Sequence, residues 1–184
     1  MAKYQRIPRG KTINPTFIVF CEGESEDAYI SFLRSRYRIP IQIVSRIARN
    51  RINQKYVNKH LRLYPHHEKD KLFLMYDLDA PAIMEKLQEI NKAVLLVSNP
   101  CFEVWYILHF VNQFSEITSQ RCIEKLEGIC KDYRKGVICG KLRENLDRNI
   151  DRAVVKAKKL PSRLNPSTSI YLLVDELTKF KTGI

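Results

Sequence analysis

Glu22 directly follows the apolar run Thr16 to Cys21 (TFIVFC) and precedes Gly23, while Asp77 and Asp79 follow a second apolar run, Leu72 to Tyr76 (LFLMY). Carboxylates at the ends of buried strands belong at the carboxyl edge of a sheet, where open α/β folds place their ligands. An Asp-x-Asp at such an edge directs two hard oxygen donors toward one mouth, and the natural guest is Mg²⁺ or Mn²⁺. Without a cation, crowded carboxylates repel, and at least one pKa rises unless a basic group intervenes. Gly23 is expected to free the turn after Glu22 and Ser25 to cap the following helix, which puts Glu26 in its first turn close to Glu22. A surface acid complementing the helix dipole would explain Glu26 equally well. Asp79 has a similar alternative as the N-cap of a helix from Ala80, with Pro81 in the first turn, but that leaves Asp77 unexplained.

Glu103 is the one carboxylate in the apolar stretch Pro100 to Val111 (PCFEVWYILHFV), where burying it unpaired would be costly. With Asn99 as cap and Pro100 first, Glu103 falls fourth, so a capping box does not account for it. Trp105, Tyr106 and Phe110 read as core, and His109 as a satisfied helix histidine. His66 and His67 are adjacent, so their side chains point apart, and no Cys or third His stands at useful spacing. No Gly-rich loop followed by Lys-Ser/Thr occurs, so ATP binding of the P-loop kind is not expected.

These acids need a sheet to gather them. Four short runs read as strands: Thr16 to Cys21, Ile41 to Val44, Leu72 to Tyr76 and Ala93 to Val97. Three are continuously apolar, as parallel strands covered on both faces should be. Between them lie stretches long enough for helical crossovers. The first, Ser25 to Tyr37, has Tyr29, Phe32, Leu33 and Arg36 at spacings of three and four. The second, Arg46 to Tyr64, carries Arg46, Arg49, Arg51, Lys55, Lys59 and Arg62 among apolar residues, so one face can pack while another contacts nucleic acid or remains merely solvated. Pro100 to Val111 predicts a buried helix. Leu142, Leu146, Ile150, Val154 and Ala157 continue the helical pattern, and Ser167 to Lys179 predicts a terminal helix after Asn-Pro. The expected organisation is a basic arm over 1–15, an α/β core over 16–111 with about four mostly parallel strands, and a helical extension over 112–184 packed on that core.

In 184 residues a sizeable core is affordable, and a formal net charge of +12 favours polyanionic partners such as nucleic acid. The five cysteines show no CxxC pair, which argues against a disulfide framework or zinc ribbon and for a reducing cytoplasm. No apolar run reaches the roughly 18 residues of a membrane span.

Four blocks, FIVFCEGESEDAY, LMYDLD, SNPCFEVWYILHF and NPSTSIYLLVDEL, resemble the RloB-like proteins of the TOPRIM superfamily, from Phe17 to about Leu177. The resemblance implies a TOPRIM, Rossmann-like core in which Glu22, Asp77 and Asp79 coordinate Mg²⁺, with Glu26 and Glu103 as further carry-overs. It also implies a role in antiphage or restriction-linked defence and an ATPase partner encoded nearby. The chain has no strand-passage domain and no zinc module or polymerising extension, so nuclease stands ahead of topoisomerase and primase. The leading expectation is metal-dependent cleavage of DNA or RNA, with Glu22 bridging a second metal or acting as general base. Two alternatives stay open: a module that holds a nucleotide or nucleic-acid end without cutting it, and an assembly subunit docking an ATPase. Assembly with further copies of the chain is also left open.

Overall fold

The computed structural model describes residues 14–78 and 81–183. Most of the expected basic arm, and Asp79 with Ala80, therefore lie outside the described residues.

Parallel strands β1 (Thr16–Cys21), β2 (Gln42–Ile47), β3 (Lys71–Asp77) and β4 (Ala93–Asn99) are joined by a two-residue antiparallel strand, β5 (Ser167–Thr168), in the order β2-β1-β3-β4-β5. The unbroken apolar runs have the expected cause, because both faces are covered. Phe17, Val19 and Cys21 of β1 enter one core cluster, with α1 (Glu24–Tyr37), while Ile18 and Phe20 enter the other, with α2 (Gln54–Leu61) and α3 (Pro81–Gln88). The first cluster continues through α4 (Glu103–Leu108), α5 (Ser119–Ile129), α6 (Gly140–Arg148), α7 (Ile150–Lys158) and α8 (Tyr171–Thr182). From β1 the chain runs to β2 on one side and then crosses back to β3 on the other. The strand order thus reverses between β1 and β3, and the crevice at their carboxyl ends is the topological switch point where such sheets bind ligands.

Several local expectations change. Ser25 does not cap α1; Gly23 holds that position in an extended conformation (φ −143°) that any residue can adopt, and Ser25 is buried inside the first turn. The Arg46–Tyr64 segment is not one helix: Arg46 lies in β2, Arg49 and Arg51 in a 3₁₀ turn, and Lys55 and Lys59 in α2. The helix predicted from Pro100 is only Glu103–Leu108, although Cys101 through His109 are all buried. Its apolar pattern reports burial, which extended and turn backbone satisfy as well as helix does. Ser167, placed at the start of the terminal helix, instead pairs with Asn99 in β5. No helix among the described residues is long and apolar enough to cross a membrane.

Phe73, fully buried at the centre of β3 with its ring 5.4 Å from that of Phe17, carries much of the first cluster. Phe73→Ala should cost about 3–5 kcal/mol, read as a shift in the urea midpoint with the slope unchanged.

Candidate functional site at the rim of the sheet

The β1 ladder continues past its end. Ala48 N–H donates to the Cys21 carbonyl (2.9 Å), Glu22 N–H donates to the Met75 carbonyl (3.0 Å), and on the far side Leu78 N–H donates to the Ser98 carbonyl (2.8 Å). These bonds fix Glu22 and Asp77 at neighbouring exits from the sheet. The Glu22 side chain then turns toward β3, where its Oε2 accepts the Asp77 backbone N–H at 2.9 Å. Two acids 55 positions apart thus meet at the switch point, both half-buried.

One turn into α1, Glu26 folds back over the same rim, its Oε2 accepting the Gly23 N–H at 3.2 Å. It is buried, and its pKa is pushed up to about 7, first by desolvation and then by the nearby charges of Glu103 and Glu22, against opposing pulls from backbone hydrogen bonding and Lys135. Glu103, the first residue of α4, is also buried. Its Oε1 accepts the Tyr133 phenol O–H at 2.9 Å and the Ser25 hydroxyl at 3.4 Å, and the same hydroxyl accepts the Gly136 N–H at 3.3 Å. The carboxylate missing a capping explanation therefore ties α1, α4 and the α5–α6 connection together.

Tyr133, Lys135 and Gly136, which sequence reasoning missed, all belong to that connection. Burial pulls the Lys135 ammonium down, but the carboxylates of Glu103, Glu26 and Asp77 outweigh it and hold its pKa above the ordinary lysine value. Only Gly136 left a local trace, as a turn-forming residue in a polar stretch; nothing in the sequence links it to residues more than a hundred positions earlier.

The six basic candidates are all exposed but do not act as one set. Arg51, Lys55, Lys59 and Arg62 line a single open depression with Asn53 and Tyr56. Arg46 instead donates to the Tyr64 hydroxyl (2.9 Å). Arg49 turns to the rim, where it pairs with Glu24 at 2.5 Å and its carbonyl accepts the Tyr76 phenol O–H at 3.0 Å. His67 lies at the opposite edge of the sheet: Asp70, which accepts its N–H, also accepts the N–H of Thr16 at the start of β1. A cavity of about 500 Å³ lined by Thr16, His66 and Asp70 is likewise at that edge, away from the acids. Trp105 and Tyr106 are core, and His109 is buried with Nδ1 at 2.9 Å from the Trp105 carbonyl.

Glu22, Asp77, Glu26 and Glu103 are the carboxylates gathered around this rim, and they offer only oxygen donors. Among the described residues no group of three or more His, Cys, Asp or Glu side chains is placed to hold a metal ion. Oxygen donors alone are nevertheless the kind of set that a hard dication takes.

A family model described as RloB-like protein matches residues 17–177. No curated protein and no solved structure matches the chain.

The Glu26 shift makes stability depend on pH. Its folded pKa of about 7 lies above the unfolded value of 4.5, so the native state binds the proton more tightly and loses stability as pH rises between the two. In chelator, the wild type should lose on the order of 3 kcal/mol across that window from this group. Glu26→Gln should flatten that part of the profile, measured by chemical denaturation at pH 5 and pH 8.

Proposed function

The chain belongs to the RloB-like family, and on that premise we propose that it is a metal-dependent nuclease of the TOPRIM type, hydrolysing phosphodiester bonds of DNA or RNA. The observation that carries the reading is the meeting of Glu22 and Asp77 at the switch point, with the Glu22 carboxylate on the Asp77 N–H at 2.9 Å. Glu22 and Asp77, with Asp79 two residues on in the sequence, would hold Mg²⁺ or Mn²⁺. When bound, the cation supplies positive charge against the phosphate and makes a water more acidic.

The remaining residues have separable tasks. Glu26, one helical turn from Glu22, is suited to orient the attacking water. Glu103 braces the site through Tyr133 and Ser25. Arg51, Lys55, Lys59 and Arg62 would take the phosphate backbone on the α2 side, with Arg49, held at the rim by Glu24, between that surface and the acids. We further propose a place in a prokaryotic antiphage or restriction-linked system with an ATPase partner, the reading supported by the family resemblance.

Purified protein with Mn²⁺, alone or with that partner, should cut DNA or RNA, and Asp77→Ala should lower the rate at least about 100-fold. Intact recovery of every nucleic acid offered under both conditions would reject the nuclease in favour of a binding subunit. Replacing Lys55 and Lys59 together by Glu should raise KM about tenfold, leave kcat near wild type, and reduce the log–log salt slope of binding by about two.

A further inference from the structure

Tyr133 and Gly136 pin their connection to the rim from both sides of Lys135. The Tyr133 phenol bonds Glu103 at 2.9 Å, and the Gly136 N–H bonds the Ser25 hydroxyl at 3.3 Å. Between these anchors the Val137 N–H closes on the Arg134 carbonyl at 3.0 Å, making Lys135 and Gly136 the central pair of a tight turn. Gly136 has φ +77°, the left-handed conformation that the third position of a type II turn requires. It also lies so close to α1 that a Cβ there would stand 3.0 Å from that of Glu24. Lys135 is therefore presented from the tip of a turn whose position over the rim is set by contacts on either side.

Its surroundings give it a task. Glu103, Glu26 and Asp77 all act on its ammonium, and among the described residues no ion pair joins it to Glu103 or Glu26. Arg49, also at the rim, is engaged by Glu24 at 2.5 Å. A phosphate arriving at the carboxyl ends of β1 and β3 would meet the Lys135 ammonium beside these acids.

We propose that Lys135 is a phosphate-binding residue of this site, contacting a non-bridging oxygen of the scissile phosphate and balancing the charge that builds there as water attacks phosphorus and the ester oxygen leaves. The inference rests on the nuclease reading, since a site that bound no nucleic acid would give Lys135 no such partner.

Lys135→Ala, Lys135→Arg and, as a distant surface control, Lys159→Ala separate the possibilities. At saturating Mn²⁺, Lys135→Ala should lower kcat about 100-fold and Lys135→Arg should recover most of that loss. In Ca²⁺, binding of an uncut phosphorothioate duplex should lose about one unit of log–log salt slope in Lys135→Ala, while Lys159→Ala keeps the wild-type slope. By calorimetry, Mn²⁺ should bind Lys135→Ala at least as tightly as wild type, because a competing cation has gone. Wild-type turnover and salt slope in Lys135→Ala would overturn the proposal, as would loss of Mn²⁺ affinity in step with turnover, which is the mark of a merely structural turn. A wild type that cuts nothing would sink the nuclease reading instead, and the salt slope would then still decide whether Lys135 meets a phosphate.

Discussion

The hydrogen bond from the Asp77 backbone N–H to the Glu22 carboxylate, at 2.9 Å, is the contact on which the rest of the rim depends. It spans the point where the strand order reverses, so the helices leaving β1 and β3 depart on opposite faces and leave their carboxyl ends uncovered by either. With Glu22 held across that gap, Glu26 and Glu103 arrive beside it from α1 and α4. Burial first, and then the charges of Glu103 and Glu22, disfavour the Glu26 carboxylate and push its pKa up to about 7.

The large apolar cluster on the α1 face explains how so much acid is tolerated. Trp105, Tyr106, Phe102 and Tyr29 pack around the start of α4 and fix Glu103 rigidly, so its hydrogen bonds to Tyr133 and Ser25 can form without much further ordering. The same bonds carry the α5–α6 connection over the rim. The helical segments after residue 112 thus do more than cover a face of the sheet: they supply β5 at its edge and the turn that presents Lys135.

The cations of α2 and the acids of the rim lie on different parts of the surface. The cations of α2 face solvent on the other side of the sheet from α1, while Arg49 sits between them, its guanidinium on Glu24 and its carbonyl on Tyr76.

Much of the architecture was legible because parallel strands buried on both faces must be apolar without interruption, and three of the four parallel strands are. Glu22 and Asp77 could be placed at the carboxyl edge from their positions immediately after such runs, and Glu26 from its distance of one helical turn. Burial all round at residues 100–111 was equally readable, but the backbone conformation within it was not, because burial constrains side chains and leaves helix, turn and extended chain all admissible. Likewise the charges between Arg46 and Arg62 predicted an exposed surface, whereas their division among β2, a 3₁₀ turn and α2 depended on where the β1 ladder ended. The sequence by itself determined the sheet and the acids at the ends of its strands, since both follow from local patterns of polarity. Only the tertiary structure decided that Ser25 serves Glu103 instead of a helix end, and that Tyr133 and Gly136 reach the rim and carry Lys135 with them, because those pairings join segments distant along the chain through single hydrogen bonds that leave no periodic trace.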